Sequence, residues 1–216
     1  MNDRFESHVF WGSYSPLAML GYSALIILAS SRLAFALICA SALIWVYGLT
    51  TLVFSLARKI LPEYGKMLVL LFLTSFMCGI FMIFLGLINP LLLLGTGFFI
   101  FLIAPCFLGA GFFESSRQPD FEEIISRAIL EAFVLSLVII SFALIREPLG
   151  MGTLSMPGGP EGVWEIIGAG ETFIPVRILS ASAGGLLLLG YGTALFRYVR
   201  DKSGAAPPDN NMEGAL

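Results

Sequence analysis

Charge is the scarcest commodity in this chain. Only 12% of its 216 residues are Asp, Glu, Lys or Arg, against roughly 25% in an ordinary soluble domain. Histidine occurs once, as His8, so haem held by a pair of intramembrane histidines is excluded. The three cysteines, Cys39, Cys78 and Cys106, are too few for a secreted disulfide scaffold. No two of them form a C-x-x-C pair, so a local zinc site or a single-chain iron–sulfur site has no support. Phosphate-binding and dinucleotide-binding glycine motifs are absent too. Any redox or energy input must therefore come from partners. Disorder, coiled coil, collagen and a soluble globular enzyme are all incompatible with this balance.

What the chain has in excess is apolar residues, 57% of the total with 19 Phe. About 20 consecutive apolar residues cross a bilayer as a helix. Leu33 to Ala57, Met67 to Ile88, Leu91 to Phe113, Ala128 to Ile145 and Ile178 to Phe196 qualify. A sixth segment, Pro16 to Ser31, reaches spanning length if it begins near Val9. The runs lack the alternation of a membrane barrel. The expected fold is all-α: one polytopic membrane domain over residues 1–202, with six transmembrane helices and a disordered tail over 203–216. The polar start, with Asp3, Arg4, Glu6 and His8, is unlike a cleaved signal peptide, so the first span is expected to stay in the mature protein.

Positive charge orients the spans. With six of them, Arg4, Arg58, Lys59, Lys66, Arg117, Arg127, Arg197, Arg200 and Lys202 share one side; Arg32, Arg146 and Arg177 share the other. Nine against three places both termini in the cytoplasm, with the chain integral to the cell (inner) membrane. Six spans divide into two inverted halves of three, about 9–88 and 91–200. The first span of each half carries a Pro among small residues: Gly12-Ser13-Tyr14-Ser15-Pro16-Leu17-Ala18 and Ala104-Pro105-Cys106-Phe107-Leu108-Gly109-Ala110-Gly111. Pro breaks a helical ladder, and matched interruptions in two halves point to a central site. Helices 1 and 4 are therefore expected to be interrupted.

Several residues stand out as candidates. Cys106, beside a helix-breaking Pro, reads either as a presented thiol able to ligate iron or a soft metal, or as a small buried hydrophobe. Cys39 and Cys78 read as packing. Glu131 is a carboxylate inside a span, where such groups often mark ion routes, but its place one turn into Ala128–Ile145 predicts that it reaches the headgroups. The string from Arg146 to Leu154 reads as a loop with turn chemistry. The stretch from Ser155 to Thr172 reads as a linker with a short interfacial helix around Trp164. Ser180/Gly184 and Ala181/Gly185 are small-x-x-x-small pairs that allow close helix approach.

The string Ile145-Arg-Glu-Pro-Leu-Gly-Met-Gly-Thr-Leu154 resembles a loop shared by membrane subunits of the Rnf electron transport complex and the sodium-pumping NADH:quinone reductase, Nqr. Among these it looks most like the Rnf E-type and Nqr D-type subunits, and the resemblance extends over about residues 9–200. It implies a subunit of a redox-driven, ion-translocating complex, paired with a homologous six-helix subunit and served by flavin-bearing subunits. Membrane lipid is its surroundings, and nucleic acid is not an expected partner. In the family, an intramembrane [2Fe–2S] cluster is held by one cysteine from each interrupted helix of two paired subunits. The resemblance puts Cys106 near one metal-ligand position and Tyr14 where the other cysteine stands, so the two residues would line one cofactor site shared with the partner. Two alternatives compete: a small secondary transporter built on inverted repeats, and a structural assembly subunit without a redox role.

Overall fold

A computed structural model of the chain describes residues 22–57, 66–109, 121–158, 162–167 and 176–202. Their helices are α1 (Ser23–Ala29), α2 (Leu33–Ala57), α3 (Lys66–Ile88), α4 (Pro90–Phe101), α5 (Ile103–Gly109), α6 (Phe121–Met151), α7 (Arg177–Ser180) and α8 (Ser182–Lys202). Two short strands, β1 (Leu154–Pro157) and β2 (Val163–Ile167), pair antiparallel. The motif around Tyr14 and Pro16, and the tail 203–216, lie outside the described residues.

Four helical stretches are long and apolar enough to cross a membrane: α2, α3, α4 with α5 from Pro90 to Leu108, and α6 from Ile124 onward. The 25 residues of α2 reach about 37 Å at 1.5 Å each, more than the ~30 Å hydrocarbon core. The outward faces are as apolar as the interior. Phe72, Phe76, Ile83, Leu94, Phe98 and Phe133 are all exposed, as a lipid-facing surface requires. With 21 residues, α8 is long enough to span, but its four glycines and Arg197 dilute its hydropathy.

The centre of the bundle is α2 packed against α6, the most extensive helix pair. Small side chains let the two backbones approach closely. On α2 these are Ala34, Ala36, Ala40 and Ala42, and on α6 they are Ala128, Ala132 and Ala143, all buried. The Ser136 hydroxyl donates within its own helix to the Ala132 carbonyl at 2.7 Å and lies 3.4 Å from the Ala40 carbonyl across the interface. The join between α3 and α4 is one residue, Asn89. Its side-chain oxygen accepts from the Leu91 and Leu92 N–H groups at 3.1 and 3.2 Å, with Pro90 in the first helical position. This is a cap that starts α4 the moment α3 ends.

The interruption expected near Pro105 amounts to one residue, Leu102, which keeps helical dihedrals, and Pro90 to Leu108 still reads as a single span. Pro lacks an N–H and its ring crowds the carbonyl four residues back, here Phe101. The helix accordingly stops at Phe101, turns at Leu102 and resumes at Ile103.

Two expectations are corrected. Residues 146–151 are not a loop but the last turns of α6, which runs through Pro148 to Met151. Pro148 lies in the last turn, three residues before the helix ends at Met151. The Gly152 N–H bonds back to the Pro148 carbonyl at 2.9 Å with Gly152 at φ +71°, a left-handed helix stop that favours glycine. The stretch expected to carry an interfacial helix instead holds the β1–β2 hairpin. Val163, Trp164, Ile166 and Ile167 favour a strand, and Gly158 and Gly162 supply positive φ at its turn.

One end of the bundle gathers the start of α2, the ends of α1 and α6, the α7–α8 junction, the start of α4 and the hairpin. Successive long helices therefore alternate in direction. Gly150 shows how tight this end is: a Cβ there would sit 2.8 Å from the Ser180 amide nitrogen, an immovable backbone atom. Gly150→Ala is expected to cost about 1–3 kcal/mol, read as a lower melting temperature in detergent. Gly190→Ala, where no atom lies within 4 Å, should leave it unchanged.

Candidate functional site

Two buried polar assemblies occupy this apolar bundle. The deeper one is centred on Glu131, ten residues into α6 and so about 15 Å along its axis. Its side chain is 3% exposed. The Tyr22 hydroxyl, at the start of α1, donates to Glu131 Oε1. Tyr47 of α2 lies beside Tyr22, and both are fully buried. Phe107 of α5 packs edge-on to the Tyr47 ring, with centroids 4.7 Å apart. Its neighbour Cys106 is 4% exposed and within electrostatic reach of Glu131. Arg127, one turn before Glu131, is the nearby positive charge. Four helices thus converge on one carboxyl group. Glu131 is thus enclosed by the bundle, and because α6 begins at Phe121 rather than Ala128 it lies almost three turns into its helix rather than one.

The second assembly is Arg146 with Glu147. Arg146 uses every N–H of its guanidinium. Nε donates to the Leu179 carbonyl at 2.8 Å. Nη1 donates to the Ile27 carbonyl and to Ser30 Oγ, the latter at 3.3 Å. Nη2 donates to the Ser180 and Ala181 carbonyls at 3.0 and 3.1 Å. Most of these acceptors are carbonyls at the ends of α1 and α7, where a helix leaves carbonyls without intrahelical donors; the Ala181 carbonyl also accepts from the Gly185 N–H at 3.1 Å. A cation at two helix C-termini also meets the negative ends of their dipoles. Glu147 does the converse at the start of α2. Its Oε2 accepts from the Leu33 N–H at 2.6 Å, and Ser155 Oγ accepts from the Ala34 N–H at 3.3 Å. Adjacent residues on α6 therefore close three helix ends with matching charge.

The small residues of the last span serve this junction. A Cβ on Gly185 would lie 3.1 Å from the Arg146 guanidinium carbon, and one on Gly184 would collide with the Ile178 carbonyl oxygen. Their close approach is internal, around the break at Ala181, and Gly192 meets Phe142 of α6 in the same way.

A family model described as "Rnf-Nqr subunit, membrane protein" matches residues 4–191. The chain belongs to the Rnf-Nqr family. No curated protein matches it. The matched region contains both polar assemblies and every stretch that qualifies as a span. Subunits of the Rnf-Nqr family are membrane proteins that work in multi-subunit complexes.

The Rnf-Nqr resemblance implied a [2Fe–2S] cluster with Cys106 as a ligand and Tyr14 opposite. Cys106 is buried near Glu131, Tyr22 and Tyr47. Cys39 and Cys78 are free and buried, and Cys39 lies within electrostatic reach of both Cys106 and Cys78. Among the described residues, no three His, Cys, Asp or Glu side chains are grouped to hold a metal ion. Tyr14 lies outside the described residues.

Sequence reasoning singled out Cys106 and Glu131 separately and passed over Tyr22 and Tyr47. Tyr22 and Tyr47 are hydroxyls in otherwise apolar spans, and Glu131 is a carboxyl in one; together those are the legible signal. In Rnf-Nqr terms, the Arg-Glu pair of the recognisable string is a double helix cap. Arg146→Lys keeps the charge but loses the planar fork, and three rotatable donors cannot serve five acceptors in place. A destabilisation of at least about 2 kcal/mol is expected, visible as reduced membrane accumulation and a lower melting temperature.

Proposed function

We propose that this chain is a six-span integral subunit of a redox-driven, ion-translocating complex of the Rnf/Nqr type, and that its own part lies on the ion side. The observation that carries the proposal is Glu131. An ionised carboxylate is costly in a bilayer interior and is held there protonated, paired or bound to a cation. Glu131 has a hydroxyl donor in Tyr22, a second hydroxyl in Tyr47 and a cation one turn away in Arg127. Such a group can take up and release a proton or a sodium ion as its surroundings change.

The surroundings include a natural point of change. The Pro105 break ends at the helix that carries Cys106 and Phe107 against this centre. A shift of α5 relative to α4 would move two of the walls around Glu131 without breaking another helix. Electron transfer in the complex would supply the driving force from flavin-bearing partner subunits, with a homologous six-helix subunit alongside. The alternating helix directions favour two inverted halves, with both termini on the cytoplasmic side of the inner membrane by the distribution of positive charge.

Glu131→Gln tests this reading. The amide is close in size and can still accept from Tyr22, so assembly of the complex should survive. Redox-driven ion uptake into proteoliposomes is expected to fall at least tenfold, and Tyr22→Phe should cause a smaller, several-fold loss. Uptake at the wild-type rate in a fully assembled Glu131→Gln complex would remove the carboxyl from the ion route. An assembly that copurifies with no flavin subunit would instead favour the transporter alternative.

A further inference from the structure

The hairpin end of the bundle carries a cavity of about 530 Å³ that neither polar assembly uses. Its walls come from three elements: Arg32 and Phe35 at the start of α2, Leu91 and Leu92 at the start of α4, and Trp164 with Glu165 on β2. The hairpin is seated closely here. Gly162, at φ +81°, lies against α4 so tightly that a Cβ would be 3.2 Å from Leu91 Cβ and from the Leu92 amide nitrogen. That contact places the first residues of β2 above the helix.

Arg32 and Glu165 line the same cavity, and neither side chain has a hydrogen-bond or ion-pair partner among the described residues. Two opposite charges that share a cavity without pairing suit a ligand that carries both signs. The apolar part of such a ligand is indicated by α4. From the cavity mouth, Leu91, Leu94, Phe98 and Phe101 are exposed at helical spacing, one continuous apolar track along a membrane-spanning helix. Trp164 is 68% exposed at the mouth, where an amphipathic ring sits at headgroup level.

We propose that this cavity binds the headgroup of a zwitterionic phospholipid with a primary amine, of the phosphatidylethanolamine class. Arg32 takes the phosphate with its planar fork, Glu165 takes the ammonium, and an acyl chain lies along the α4 track. The proposal needs only a membrane-embedded chain and stands apart from any redox or ion role.

The test is native mass spectrometry of the delipidated full chain in detergent, titrated with dioleoyl phosphatidylethanolamine or dioleoyl phosphatidylglycerol. The wild type is expected to retain the ethanolamine lipid at one per chain, at least tenfold more strongly than the glycerol lipid. Glu165→Gln, at an exposed position, should remove that preference while phosphate binding persists. Arg32→Gln should weaken both lipids about tenfold. Equal retention of both lipids by the wild type, or unchanged retention by the variants, would overturn the proposal. So would occupancy of the cavity by a polypeptide of a partner subunit. A size-exclusion profile identical to wild type confirms that each variant is folded.

Discussion

The hairpin end of this molecule depends on one side chain finding a partner for each of its five N–H groups. Breaking a helix inside a membrane protein exposes carbonyls that lipid cannot satisfy, and each unpaired group costs several kcal/mol. The chain ends two helices, α1 and α7, at the same level. The Arg146 guanidinium lies between them and bonds to both. Glu147 then uses the next position on the same helix to cap α2 from the opposite electrical sense. Without this pair, neither the short helices nor the close α2–α6 packing would be tolerable, because both leave backbone groups away from water. Charge is scarce in the chain, and two of its charged residues are committed here.

That commitment separates structure from chemistry. The recognisable string is conspicuous in the sequence because it holds charge, proline and glycine together, yet its contribution is architectural. Its glycines are there for contact and conformation: Gly150 against the Ser180 backbone, Gly152 for a left-handed stop. The chemically suggestive residues sit nearer the opposite end of α6 and carry no sequence motif at all. Tyr22, Tyr47 and Glu131 come from three separate helices and meet only when the bundle closes.

The parts legible in the sequence were those governed by local rules. The apolar run from Leu33 to Ala57 predicted α2 to the residue, and Pro105 predicted a break that falls four residues earlier, where its ring meets a carbonyl. The hairpin was illegible because a turn made by two positive-φ glycines around a short strand reads much like an interfacial segment. The start of α6 was misplaced because Phe121 to Arg127 is polar enough to resemble a loop, although it continues the helix. The convergence on Glu131 could not be read at all, since which face of α1 meets which face of α6 is decided by the Arg146 junction far along the chain.

The fit of Gly185 against the guanidinium has a consequence for how such chains diverge. The space at position 185 exists only because the side chain at 146 fills it, so the two sites form a single unit of variation. A chain that acquires a bulkier residue at 185 must give up the arginine, and with it the short helices that the arginine closes. Covariation between a glycine at 185 in α8 and an arginine at 146 in α6 would therefore mark which relatives keep broken helices at this end and which have rebuilt them as continuous ones.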